Sequence, residues 1–346
     1  MTDELISILE KSKTEPINRE EALYILQNTE DEKSAAKLFE AAVYVRAHEL
    51  GNVFKLVGGI ASVLPCNLKP NCIYCPYWRD SEKKQLSTEE IVKAVGYIRS
   101  HGIKDFHLSG GTTLGSEGLD VLSIVEAIRK AGFDDVEIDV NCGAAMSLVT
   151  LKKLKPLGVK KVGAVFETLN PEVFRKMKPG DSLEAKKKFA WLIGEAGLGL
   201  GTGILAGLSP EETKYQDYVD FLFEVKGYPH LVSLYVSKFY PFDTTALRGQ
   251  PACPDEEASR VIALTRLVLR TINITGAQGW TKSKLVSPFE AGAGNTVGAI
   301  HITRTPDYFD VAKRGSDFIY LDNLEYRNSI DKIKQFYETK GIQLST

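Results

Sequence analysis

Between residues 53 and 302 the chain alternates short apolar, strand-like runs with longer amphipathic, helix-like stretches, which restricts it to an α/β architecture built from βα units. Strand patterns fall at 53–64, 104–109, 135–140, 160–166, 199–206 and 231–237, with shorter ones near 276–280 and 297–302. Helix patterns fall between them, at 88–100, 118–131, 147–155, 182–196, 210–226 and from Asp255 to Asn273. Ser87-Thr88-Glu89-Glu90 reads as a capping box opening the first of these. Eight candidate strands at this spacing predict a closed (β/α)8 TIM-type barrel rather than an open doubly wound sheet. Residues 1–52 read as an N-terminal helical cap, ending in Ser34 to Leu50, where Leu38, Ala42 and Val45 recur at helical spacing. Residues 53–304 make the barrel and 305–346 a C-terminal extension, the whole forming one compact unit.

The chemistry is concentrated in one loop. After the first strand pattern the chain reads Pro65-Cys66-Asn67-Leu68-Lys69-Pro70-Asn71-Cys72-Ile73-Tyr74-Cys75, which puts three thiols at the C-terminal end of the first βα unit, the face that carries barrel active sites. Three thiolates without a nearby fourth can hold a 4Fe-4S cluster and leave one iron open to a small molecule. Two other readings stand beside this one. Cys72-Ile73-Tyr74-Cys75 is half of a zinc site, although Cys142 and Cys253 are lone thiols and no histidine pair has ligand spacing. A disulfide framework fits poorly, because five cysteines in 346 residues and no apolar leader near Met1 describe a reducing, cytoplasmic setting. With 43 basic against 45 acidic residues, the charge gives no bias toward nucleic acid. No apolar run approaches the roughly 20 residues of a membrane span.

The cysteine loop with Tyr74 before its last cysteine, and Gly110-Gly111 after the second strand, resemble the radical S-adenosylmethionine (SAM) superfamily. The segment Phe166-Glu167-Thr168-Leu169-Asn170-Pro171 through Arg175-Lys176-Met177-Lys178-Pro179 resembles its biotin synthase, HydE and methylornithine synthase subgroup. The resemblance covers residues 50 to 302. The usual cluster loop of the superfamily is C-x3-C-x2-C, whereas this one is C-x5-C-x2-C, a spacing similar to radical SAM proteins of the HmdB type, associated with making the iron-guanylylpyridinol cofactor of Hmd hydrogenase.

The resemblance implies a 4Fe-4S cluster on Cys66, Cys72 and Cys75, SAM as second cofactor, and a reductant such as ferredoxin or flavodoxin as partner. It implies SAM contacts from Tyr74, from the backbone of Gly110, Gly111 and Thr112, and from Asn141. Thr112 replaces the acid usual in that turn. Glu167 is assigned to the ribose hydroxyls or methionyl amine, Arg175 to the methionyl carboxylate, and Ile204 with Leu208 to the adenine. Each has an ordinary alternative: a tight turn, a surface ion pair, or a strand relieved of crowding by Gly201 and Gly203. For a small-molecule substrate the candidates at pocket height are Cys142, Tyr235, Ser237, Tyr240, Gln278 and His301, with Lys238 and Trp280 nearby. The implied function is reductive cleavage of SAM to a 5′-deoxyadenosyl radical that acts on a small precursor in cofactor assembly. A mutase or maturase of the same subgroup, and a noncatalytic metal-binding scaffold, are the alternatives.

Overall fold

A computed structural model describes residues 2–77, 85–276, 288–304 and 317–346. Three helices begin the chain: α1 (Asp3–Ser12), α2 (Arg19–Gln27) and α3 (Glu32–Leu50). Each starts where a side chain (Thr2, Asn18, Asp31) accepts a hydrogen bond from a backbone N–H of the first turn. Then follow β1 (Val53–Ala61), α4 (Thr88–Ser100), β2 (Asp105–Ser109), α5 (Leu119–Lys130), β3 (Glu137–Asn141), α6 (Leu148–Leu154), β4 (Val159–Gly163), α7 (Pro171–Met177), α8 (Leu183–Glu195), β5 (Gly199–Ala206), α9 (Lys214–Val225), β6 (Leu231–Lys238), α10 (Asp255–Leu269), β7 (Asn273–Gly276) and β8 (Thr296–Arg304). The expected capping box at Ser87 is formed: Glu90 N–H donates to Ser87 Oγ at 3.2 Å and Ser87 N–H to the Glu90 carboxylate at 2.7 Å.

The sheet runs β7-β6-β5-β4-β3-β2-β1-β8, with every neighbour in this series parallel. Among the described residues no continuous ladder joins β7 to β8. The two meet instead through the Ile274–Gly294 bridge and a 2.8 Å hydrogen bond from Asn273 Nδ2 to Thr296 Oγ1. Two arginines hold the chain at this seam. Arg266, fully buried in α10, donates to the carbonyls of Gly292 (3.0 Å), Gly294 (2.8 Å) and Ile272 (2.9 Å), so its donors are satisfied by oriented dipoles rather than by a counter-ion. Arg46 of α3 donates to Phe289 O at 2.7 Å, tying the N-terminal helices to the same segment.

The C-terminal residues do more than extend the barrel. β9 (Phe318–Leu321) and β10 (Leu324–Asn328) pair antiparallel with each other, and β10 pairs antiparallel with β8. After α11 (Ile330–Glu338), the short β11 (Gln343–Ser345) adds in parallel to the start of β1. No helix among the described residues is long and apolar enough to cross a membrane.

What positions a site is the division of each strand between two faces. Phe106, Leu108, Ile138, Val140, Leu234 and Val236 are buried on the outer face. The orientation is fixed by neighbouring glycines of β1. A Cβ at Gly58 would lie 2.7 Å from Ile98 of the outer helix α4, whereas one at Gly59 would overlap the His107 ring. His107 therefore lies inside, over Gly59. The same device recurs around the sheet. Asn141 lies over Gly163, where an added Cβ would be 2.7 Å from its Oδ1, and Lys161 and Ser233 both flank Gly201, at 3.2 and 3.1 Å from such a Cβ. The Tyr235 ring lies over Gly203. Alternate glycines on β1, β4 and β5 thus vacate inward positions that larger polar side chains of adjacent strands fill. Gly203→Ala is accordingly expected to cost about 1–3 kcal/mol in urea unfolding, because the new methyl must displace the Tyr235 ring; a change below 0.5 kcal/mol would show that the ring moves freely.

Candidate active site

The cysteine loop is fastened on both sides. Toward β2, Gly111 N–H donates to Leu64 O (3.0 Å) and Asn67 N–H to Thr112 O (2.9 Å), while the Asn67 side chain exchanges two hydrogen bonds with the backbone of Leu114 (3.0 and 2.8 Å). Any Cβ at Gly111 would overlap Pro65 O and Cys66 Cβ, and one at Gly110 would lie 2.8 Å from Leu64 N. The two glycines are present because the loop backbone packs directly on them. On the far side Ile73 N–H donates to Met177 O at 2.9 Å, at the end of α7, and Gly180 packs against the carbonyl of Pro70. The residues between the first two cysteines therefore bridge from the β2 turn to the α7–α8 link. Cys75 N–H donates to Cys72 O at 3.3 Å, which folds these two cysteines into one turn.

Cys66, Cys72 and Cys75 are all half-buried. Burial pushes the Cys72 thiol up to about 12, against the pull of Lys178. Such a thiol stays protonated unless iron takes the place of its proton, which suits a structural cluster ligand rather than a free nucleophile. Among the described residues no group of three or more His, Cys, Asp or Glu side chains is drawn in tightly enough to hold a metal ion. The fit to a cluster accordingly rests on donor type and surroundings. Next to Cys72 lies a buried charge cluster: Asp181 Oδ2 stands 3.4 Å from Lys178 Nζ and 3.1 Å from Lys186 Nζ, all three side chains being under 10% exposed. Burial, with Lys178 close by, pushes the Lys186 ammonium down to about 8. Burial would raise the Asp181 carboxyl, but the two lysines outweigh it and hold the group low.

Glu167 is the most informative polar residue at this end of the barrel. The chain beyond β4 pairs again with β5, Glu167 N–H donating to Gly203 O and Leu205 N–H to Glu167 O, both at 2.9 Å. Its backbone sits in the left-handed region at φ +67°, a conformation that costs a non-glycine residue about 1–3 kcal/mol. Its Oε2 is buried without a hydrogen-bond partner. Burial pushes the carboxyl up, opposed by Lys178 and Lys186. Tyr74 and Tyr235 both lie within its field, and the Tyr235 hydroxyl shares a hydrogen bond with the Asn141 side chain. Tyr74, Asn141, Glu167 and Tyr235 thus converge from the cysteine loop, β3, the end of β4 and β6. A strained, unsatisfied carboxylate there is a group arranged for a ligand.

The structure places the remaining expected residues as follows. Arg175 is exposed on α7, and the buried cations beside Glu167 are Lys178 and Lys186. The three-lysine run Lys186-Lys187-Lys188 near the start of α8 was the available signal, but it reads as a solvated helix face until packing buries one member. Ile204 alternates with the inward Gly203 and so belongs to the outer face by strand phase, while Leu205 takes the inward place; a narrow crevice beside α9 is lined by Ile204, Leu205 and Glu167 together with Tyr218 and Phe221. Leu208 is buried just beyond β5. Thr112 is buried with its hydroxyl against Gly143, and its carbonyl is taken by Asn67.

Among the substrate candidates, Tyr235, Ser237 and His301 share the inward face, Ser237 standing opposite Leu205 and His301 opposite Gly59. Cys142 does not join them: it is 2% exposed, its thiol donates toward Leu108 O at 3.8 Å, and burial pushes it up, which makes it a packing residue. Tyr240 is 45% exposed and meets Phe242 edge to face. Lys238 is paired with Asp255 at the start of α10. Gln278 and Trp280 lie outside the described residues. A separate cavity of about 580 Å³ opens between the end of β1, α4 and α5, and none of the site residues named from sequence lines it.

Residues 65–222 match the family model described as the Radical SAM superfamily. An uncharacterized protein of Methanocaldococcus jannaschii is 28% identical over 290 residues, 82% of this chain and 75% of its own length. The [FeFe] hydrogenase maturase subunit HydE of Thermotoga maritima is likewise 28% identical, over 77% of this chain and 75% of its own. The solved structure of methylornithine synthase (PylB) superposes with a TM-score of 0.76 over 98% of this chain and 97% of that one, at 20% identity. That likeness carries the fold.

Proposed function

We propose that this chain is a radical SAM enzyme that cleaves SAM reductively at a cluster on Cys66, Cys72 and Cys75 and turns the resulting radical on a small precursor of the iron-guanylylpyridinol cofactor of Hmd hydrogenase, as expected of an HmdB-type enzyme. Enzymes of this class use a 4Fe-4S cluster and SAM and need a reductant. The observation that supports the site is the partnerless, buried carboxylate oxygen of Glu167 beside Tyr74, Tyr235 and the Lys178–Asp181–Lys186 cluster. The observation that supports the pathway is the C-x5-C-x2-C spacing.

When bound, the cluster supplies the electron that converts SAM to methionine and a 5′-deoxyadenosyl radical. The chain's own residues do the positioning. Lys186, with Lys178 behind it, offers the positive charge for the methionyl carboxylate. Glu167 accepts from the ribose hydroxyls or the methionyl ammonium, and Leu205 and Leu208 offer apolar surface to the adenine. Tyr235, held by Asn141, borders the space where a substrate carbon meets the radical.

A second reading, a maturase acting on another metal cofactor, rests on the similarity to HydE. Deleting the gene in a host that makes Hmd hydrogenase separates the two. The pathway reading expects apo-hydrogenase without its pyridinol cofactor, restored by the wild-type gene and not by Cys72→Ala. Normal cofactor content in the deletion strain would reject it.

A further inference from the structure

The turn after β5 is held by a side chain rather than by a neighbouring strand. The parallel ladder with β6 stops at the Ala206–Lys238 pair, and Phe239 N–H closes it on Ala206 O at 2.9 Å. Gly207, the next residue, turns away in the left-handed region at φ +89° and donates its N–H to the Tyr218 hydroxyl of α9 at 2.8 Å. That hydroxyl donates in turn to Glu257 Oε1 of α10 at 2.6 Å, and Lys214 Nζ donates to Glu257 Oε2 at 2.8 Å. All three side chains are buried. Burial, and next the Glu257 charge, raise the Tyr218 hydroxyl well above its ordinary value, so the phenol stays protonated and faces the carboxylate as a donor. Asp217, the residue before Tyr218, accepts from the Asn170 side chain at 3.0 Å. Asn170 caps α7 three residues beyond Glu167, and Met177 at the other end of that helix accepts from Ile73 of the cysteine loop. Two consecutive residues of α9 thus fasten the Glu167 segment and the Gly207–Leu208 turn. Tyr218 and Glu167 also line the same narrow crevice.

We propose that Tyr218, oriented by Glu257, is a positioning residue for the nucleoside half of SAM. It fixes the Gly207–Leu208 turn relative to Glu167, so that one can hold the ribose while the other covers the adenine. The inference rests on the radical-enzyme reading above and adds two residues that act on SAM only through the backbone they hold. Packing alone does not call for this network. The neighbours of Tyr218 on α9, Val219, Phe221 and Leu222, are buried without a polar group, and a phenylalanine would fill much the same space. Burying a carboxylate and an ammonium carries a desolvation cost that apolar residues avoid, and such an exchange is often neutral or stabilising. What a phenylalanine lacks is an acceptor for the Gly207 N–H, which the ladder no longer satisfies. Nor can the turn lock itself with a side chain of its own, since a Cβ at Gly207 would lie 2.6 Å from Cys253 Cβ. Lys214 engages the second oxygen of Glu257, which holds the first one toward the phenol and so fixes where the phenol oxygen meets Gly207.

The test uses the reconstituted holoenzyme, with 5′-deoxyadenosine and methionine as separate probes of the two halves of SAM, each measured by equilibrium dialysis, and with SAM cleavage driven by dithionite. Tyr218→Phe is expected to weaken 5′-deoxyadenosine about tenfold or more and to raise the SAM concentration for half-maximal cleavage by a similar factor. Methionine affinity and the rate at saturating SAM stay within about threefold of wild type. Glu257→Gln, which keeps an oxygen for the phenol, stays close to wild type for both probes, and Glu257→Ala follows Tyr218→Phe. A network that serves stability alone predicts a lowered melting temperature with both probes weakened alike. That result overturns the inference, as does unchanged 5′-deoxyadenosine affinity in folded Tyr218→Phe. If Tyr218→Phe is not recovered folded, the two Glu257 variants decide, and equal nucleoside affinity in both overturns it. Wild-type protein that neither cleaves SAM nor binds either probe rejects the radical-enzyme reading itself, whereas wild-type cleavage matched by Tyr218→Phe at every SAM concentration rejects the positioning role alone.

Discussion

Cys72→Ala is expected to yield a folded, colourless protein in which 5′-deoxyadenosine formation falls to background, at least a thousandfold below wild type. Cys72 lies beside the charge cluster of Lys178, Asp181 and Lys186 and shares a turn with Cys75. Without its thiolate the remaining two sulfurs cannot hold a cubane that uses three protein ligands. The fold should tolerate the change, since the side chain is half-buried and small, and urea unfolding should shift by no more than about 1 kcal/mol. Cys253→Ala is the matched control, because that thiol is buried against Gly207 just beyond β5 and donates toward Pro254 O; it is expected to keep both iron and activity. Iron retained in Cys72→Ala with normal SAM cleavage would remove the loop from the mechanism.

Glu167→Gln is expected to separate stability from function. Its carboxylate has one buried oxygen without a partner and a left-handed backbone, features that cost the folded protein and return nothing in the absence of a ligand. SAM affinity should fall about 10- to 100-fold, the equivalent of roughly 1.5–3 kcal/mol for a hydrogen bond involving a charged group, measured by equilibrium dialysis. Stability in urea should hold or rise. The pH dependence gives an independent sign. Burial raises the folded-state carboxyl, so the folded protein binds the proton more tightly than the unfolded chain does. The stability this group contributes is therefore fully present below the unfolded glutamate value, about 4.3, and is lost as pH rises through the folded value. Glu167→Gln abolishes that loss, so its advantage over wild type should widen as pH rises through that window. Unchanged SAM affinity together with lowered stability would make Glu167 a structural residue.

Much of this was legible in the chain. The βα alternation placed the first six barrel strands to within a few residues, because parallel strands buried on the outer face and helices with one apolar side leave strong periodic signals. The seam was less legible. Asn273 was assigned to a helix that in fact ends at Leu269, and β7 begins at that residue. The short β9, β10 and β11 went unseen because strands of three to five residues have no period to detect and exist only through their partners β8 and β1. Seven-residue α7 was also missed, although Asn170 caps it and Pro171 opens it.

At the site, the cysteine loop stood out from its spacing, whereas Glu167 and Arg175 were assigned from their place in the resembling segment; Glu167 is buried and Arg175 exposed. Which of several lysines is buried is decided by tertiary packing, and no local pattern distinguishes Lys186 from Lys187 or Lys188. The choice between Ile204 and Leu205 turned on strand phase. Sequence gives the period of two, but the phase came from Tyr235 lying over Gly203. The glycines of β5 were read for an adenine contact, with relief of crowding as the alternative; their observed neighbours, Lys161, Ser233 and Tyr235, show the second role directly.

On the proposed reading, a cluster on Cys66, Cys72 and Cys75 binds SAM through its open iron at the mouth of this barrel. Electron paramagnetic resonance of the anaerobically reconstituted, reduced protein, recorded with and without SAM and paired with an assay for 5′-deoxyadenosine, tests it most directly. A 4Fe-4S signal whose shape changes when SAM is added, with deoxyadenosine accumulating, is the expected result. A zinc-loaded protein, or a cluster signal indifferent to SAM with no cleavage, would contradict it.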